Sequence, residues 1–102
     1  MKNIKHFICE GNSDIAKTVK CVVKSFISKL NTSNDTISFI CDELQNKLGD
    51  SYKVITYADY LNNKSFMNKI KCDIYKCDII IYNYDTTENI KYCTLKYQKY
   101  IL

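Results

Sequence analysis

The residue pattern along the chain predicts an α+β fold, with two N-terminal amphipathic helices packed on a four-stranded antiparallel sheet. Two stripes of apolar residues, recurring every three or four positions, occupy the chain up to Leu48. After Gly49 the spacing falls to nearly every second residue, and Tyr, Val, Ile and Thr, which suit a pleated surface, take over. The breaks between these later runs are short, which favours antiparallel neighbours.

Residues 3–9, NIKHFIC, read as a short strand or an ordered arm that Gly11 stops. Residues 1–12 are therefore set apart from a single domain over 13–102. Ser13 and Asp14 offer an N-cap, because a short side-chain oxygen can accept from the free amides of a first helical turn. Behind them Ile15, Val19, Val22, Val23, Phe26, Ile27 and Leu30 form one stripe of a helix over 14–30. Lys17, Lys20, Lys24 and Ser28 lie opposite. A solvated helix face explains these lysines, and a surface for an acidic partner or a membrane is the sharper alternative. The segment NTSNDT is a compact turn, and Asn34 or Asp35 starts a second helix. Its stripe is Ile37, Ile40, Cys41, Leu44 and Leu48, with Asp42, Glu43, Asn46 and Lys47 toward water. Gly49 stands where a left-handed residue closes a helix, since glycine takes that conformation without a Cβ penalty.

Four strands follow, over 52–61, 66–75, 78–84 and 90–101. In the second, Ile70, Cys72 and Ile74 alternate with Lys69, Lys71 and Asp73. The third centres on Ile79, Ile80 and Ile81 and should be the most buried. The helices can cover one face of this sheet. The other carries Tyr52 or Tyr57, Tyr75, Tyr82 or Tyr84, and tyrosines of the last strand. Nine tyrosines in 102 residues exceed the needs of one small core. Tyrosine suits interfaces, where its ring is buried and its hydroxyl finds a partner.

Composition narrows the function. At 46% apolar and 25% charged residues the chain is ordinary globular material, with no proline and two glycines. The formal charge is +4, and all 15 basic residues are lysines spread along the chain. Arginine, the residue that forks onto phosphate or guanine, is missing, so nucleic acid is not an expected partner. The longest apolar run is Ile79-Ile80-Ile81-Tyr82, far short of a membrane span, and the start MKNIKHFICEG has no secretory core. A soluble, intracellular protein is expected, with no membrane partner.

Six cysteines (Cys9, Cys21, Cys41, Cys72, Cys77 and Cys93) are even in number, which in a secreted mini-protein would imply disulfides. Here they fall on apolar positions of apparent helices and strands, so buried reduced thiols are expected. No Cys-x-x-Cys occurs and the single histidine, His6, is remote, so neither metal nor cofactor is expected. Catalysis has no constellation to rest on. His6 reads as a surface residue, Asp42 and Glu43 are adjacent on a helix and diverge, and Asp73 and Asp78 are ordinary strand-end residues. Phosphate-cradling glycine motifs are absent. The strand at 69–73 has two readings: its lysines protect an exposed edge, or the same edge accepts one chosen peptide.

Particular residues carry a resemblance. The helix TVKCVVKSFIS, the exit ELQNKLGDSYKVITY and the strand IKYCTLKY resemble, in order and spacing, the Tctex-type dynein light chains. The matching positions are Val19, Lys20, Ser25 and Ile27, then Leu48, Gly49, Tyr52 and Lys53, then Tyr92 and Cys93, with Cys72 where that family often has a cysteine. The chain departs from the pattern in a shorter connection at 31–34 and in its ending YQKYIL. The other, smaller dynein light chain family is echoed too: NIKHFIC would be its N-terminal strand ahead of two helices, though its glycine-rich turn and closing strand are missing.

The resemblance implies a non-catalytic adaptor in the cytoplasm, associated with the cytoskeleton. It would be a strand-exchanged homodimer holding dynein intermediate chain or cargo peptides by strand addition at a sheet edge. Phe66, Lys69, Ile70, Lys71, Cys72, Asp73, Ile74 and Tyr75 would form the partner and dimer edge, with Phe66, Ile70, Ile74 and Tyr75 as apolar anchors. A small monomeric α+β ligand-binding or enzymatic domain, with a pocket between helices and sheet, is the alternative. RNA binding through exposed sheet aromatics is a third reading.

Overall fold

Ile79, Ile80 and Ile81 are all fully buried, which a strand achieves only when both of its faces are covered. They lie on strand β3 (Ile79–Asn83) of a computed structural model that describes residues 3–29, 37–62, 77–83 and 91–101. The other elements are β1 (Asn3–Gly11), α1 (Ser13–Phe26), α2 (Ile37–Leu48), β2 (Tyr52–Thr56), α3 (Tyr57–Leu61) and β4 (Tyr92–Ile101). A single 3₁₀ turn, Ile27–Lys29, continues α1. The fold is α+β, and the four described strands form one antiparallel sheet in the order β1-β4-β3-β2.

The helices lie on one face of this sheet. Ile15, Ala16, Val19, Val23 and Phe26 of α1 and Ile40, Cys41 and Leu44 of α2 form the main core with Val54, Ile79, Ile81, Cys93 and Leu95. The stripes foreseen for both helices face this core, with Val22, Ile27, Ile37 and Leu48 packed against it half-buried and Leu30 outside the described residues. Asn12, rather than Ser13 or Asp14, caps α1: its side-chain oxygen accepts from the Asp14 and Ile15 amides, each at 3.1 Å. The Asn12 N–H donates to the Tyr92 carbonyl at 2.9 Å, which holds Asn12 to the sheet and outside the helix. Gly49 has φ +80, and the predicted left-handed exit from α2 is present.

Two expectations change. The helices do not open the described fold, because β1 precedes them and pairs with β4 over a register running from Asn3↔Ile101 to Gly11↔Cys93. Alternation explains this: Phe7 and Cys9 pack against the helix-side core, while Ile8 points away. The strand expected over 52–61 stops at Thr56, and Tyr57–Leu61 is a helix. The Thr56 hydroxyl accepts from the Asp59 amide at 3.2 Å, a cap that starts a turn where alternation alone suggested more strand. Tyr52, one of the tyrosines considered for the outer face, packs on the helix side. The strand predicted at 66–75 lies outside the described residues.

Candidate strand-pairing edge

Among the described residues β2 ends the sheet, so one side of its backbone faces away from β3. The Tyr57 amide bonds the Asp78 carbonyl at 2.9 Å, which sets the alternation and turns the amides of Tyr52, Val54 and Thr56 and the carbonyls of Tyr52 and Val54 outward, while the Thr56 carbonyl, at the N-cap, opens α3. Gln45 of α2 reaches this side. Its Nε2 donates to the Tyr52 carbonyl at 2.8 Å, and its Oε1 accepts from the Val54 amide at 2.9 Å. One side-chain amide thus bridges the two groups flanking Lys53, as a residue of a parallel neighbouring strand would. The same Nε2 donates to the Gly49 carbonyl at 3.0 Å, so Gln45 also fastens the turn between α2 and β2.

Hollows lie at both ends of the edge. One of about 390 Å³ is lined by Gln45, Asp50, Tyr52 and Lys53. The other, about 290 Å³, lies between the start of α2 and α3 and is lined by residues including Ile37, Thr56, Tyr57 and Asp78. The Gln45 amide therefore covers the first half of β2, and the second hollow flanks the half beyond it.

The sheet face opposite α1 and α2 carries a second, smaller core. Tyr60 of α3, 4% exposed, packs with Cys77 and the fully buried Ile80. Ile55, Tyr57, Tyr82 and Tyr92 surround them, half-buried. The rings of Tyr57 and Tyr60 stack with centroids 6.1 Å apart, because positions three apart share one side of a helix. Of the tyrosines expected on the outer face, Tyr57, Tyr82 and Tyr92 lie there beside Tyr60, whereas Tyr97 of β4 packs on the helix side and Tyr75 and Tyr84 fall outside the described residues; α3 covers part of this face.

The predicted edge residues Phe66, Lys69, Ile70, Lys71, Cys72, Asp73, Ile74 and Tyr75 all fall between Asn62 and Cys77, outside the described residues. Of the candidate acids, Asp42 is exposed on α2, and Asp78 serves the fold. Its carboxylate accepts from the Tyr97 amide at 3.0 Å, and its own amide donates to the Leu95 carbonyl at 2.9 Å. Burial, reinforced by Asp42 and Asp59, pushes the Cys41 thiol up to about 11. Cys21 departs from the expectation of buried thiols: it is exposed on α1, because its position falls between the lysines rather than on the stripe. Among the described residues no group of three or more His, Cys, Asp or Glu could hold a metal, and no helix is long and apolar enough to cross a membrane.

Gln45 is the residue that sequence reasoning missed. It adjoins Leu44 on the core stripe and stands four residues before Gly49, a place from which a side chain reaches the helix exit. No protein-family model matches the chain, and searches of curated proteins and of solved structures return no match either.

Proposed function

We propose that the chain is a non-catalytic adaptor of the dynein light chain type, in the cytoplasm and associated with the cytoskeleton. It acts as a homodimer that holds dynein intermediate chain or cargo peptides by strand addition at a sheet edge. The observation that carries this reading is the outer side of β2, where outward backbone groups already take an amide partner from Gln45. An extended peptide offers the same donors and acceptors in series, so the second half of the edge can bind a guest without displacing the glutamine. The half-buried tyrosines of the adjacent face supply ring area for side chains of such a guest.

The order of elements also supports the reading. A strand ahead of two helices is the layout of the smaller light chain family, and β1 gives this chain that layout. The Tctex-type resemblance rests on residue motifs at α1, at the exit from α2 and at β4. Phe66, Ile70, Ile74 and Tyr75 enter this reading as anchors of the exchanged or peptide-accepting edge.

Sedimentation velocity on the full chain at micromolar concentration should give a dimer. Titration calorimetry with an intermediate-chain segment should then show saturable binding. A strict monomer at high micromolar concentration, together with no heat of peptide binding, would overturn the proposal.

A further inference from the structure

We propose that Cys9 and Cys93 form a dithiol that a hydroperoxide converts to a disulfide joining β1 to β4, with Cys9 as the attacking sulfur and Cys93 as the resolving one. The two residues are diagonal on the helix-facing side: Cys9 is opposite Leu95, and Gly11 is opposite Cys93. Their sulfurs share a hydrogen bond at 3.7 Å. A disulfide needs about 2 Å, so the sulfurs close a gap of roughly 1.7 Å. Gly11 permits a close approach of the two strands here, since a Cβ on it would lie 2.8 Å from the Cys93 Cα and 3.2 Å from its Cβ. β1 ends the sheet among the described residues, so it can make this adjustment without disturbing a further strand.

The two thiols differ in a way that assigns their roles. Cys9 is half-buried and lines a hollow of about 260 Å³, together with Phe7, Lys20, Val23 and Leu95. This largely apolar hollow admits a small neutral oxidant. Cys93 is fully buried. The hydrogen bond shared with Cys93 and the nearby Lys20 ammonium favour the Cys9 thiolate, against the opposing effects of burial and Glu10. The same shared bond, and burial, push the Cys93 thiol up. The thiolate is the nucleophile, and here it is the sulfur with access.

The chemistry balances. Cys9 sulfur attacks one peroxide oxygen, the S–O bond forms, the O–O bond breaks, and the departing hydroxide takes a proton to become water. Cys93 sulfur then attacks the Cys9 sulfenic acid, giving up its proton as the S–S bond forms and a second water leaves. Two thiols are oxidised by two electrons, and one hydrogen peroxide becomes two waters.

The test uses the reduced full chain and a small molar excess of hydrogen peroxide. Trypsin digestion without reductant should yield peptide 6–17 linked to peptide 92–96, and dithiothreitol should separate them. The same oxidation in concentrated urea should lower the yield of that pair at least tenfold, because the fold supplies the proximity. In Cys93→Ser the reaction should stop at the Cys9 sulfenic acid, trapped by dimedone; Cys93→Ala serves if the serine variant does not fold. The proposal is overturned if Cys9 and Cys93 remain alkylatable in the wild-type chain while other thiols oxidise. It is also overturned if the linked pair forms equally well in urea.

Discussion

Gly11 ends β1 hard against β4, and its lack of a side chain is required twice over. Its φ is +127, a region that other residues rarely adopt, and a Cβ there would meet the Tyr92 carbonyl oxygen at 2.6 Å. Gly11→Ala should therefore cost about 2–4 kcal/mol, from backbone strain and from overpacking against main chain that cannot move aside. A urea midpoint lowered at unchanged slope would measure it. Gly49 makes the contrast: its φ is also positive, but a Cβ would meet nothing within 4 Å, so its role is conformational alone. The sequence announced Gly49 through the helix it ends. Gly11 was legible only as a stop signal, because the reason for it lies on a strand far along the chain. Cys41 shows a second residue-level effect. With its thiol pushed up to about 11, the thiolate is scarce at pH 8 and becomes abundant only as pH approaches that value. Iodoacetamide at pH 8 should label the exposed Cys21 and leave Cys41 unmodified in the native protein, as peptide mapping can check.

At the scale of elements, the α2–β2 junction depends on one glutamine. Gln45→Ala would leave the Gly49 and Tyr52 carbonyls and the Val54 amide without the side chain that now bonds them. Water can satisfy part of this, so a loss of about 1–3 kcal/mol is expected. The substitution should also uncover the first half of the β2 edge, and stronger self-association in sedimentation would report that change. The amphipathic helices α1 and α2 were legible from their stripes, because burial on one side imposes its period over several turns. α3 was not, since five residues are too few to show a period, and the tyrosines within it also suit a strand. Its signal was local: Thr56 followed three positions later by Asp59, the spacing at which a side-chain oxygen meets a first-turn amide.

For the whole molecule, the decisive feature is that β1 pairs with β4 while β2, β3 and β4 lie side by side in chain order. Phe7 sits directly opposite Tyr97, with ring centroids 5.0 Å apart, and couples the two strands above the helix-side core. Phe7→Ala should cost about 3 kcal/mol. It should also lower hydrogen-exchange protection in β1 and β4 together, more than in α2. The α+β class was legible because spacing changes period at Gly49. The strand order was not, since nothing local in NIKHFIC names its partner, and the edge residues at 66–75 lie outside what the structure describes.

That pairing has a consequence for biosynthesis. Cys9 and Cys93 are 84 residues apart, so at the ~5–20 residues per second of translation β1 leaves the ribosome roughly 4–17 s before its partner. During that wait its Phe7 and Cys9 have no mate, and the nascent chain must be shielded by a chaperone or risk joining a neighbour on the same polysome.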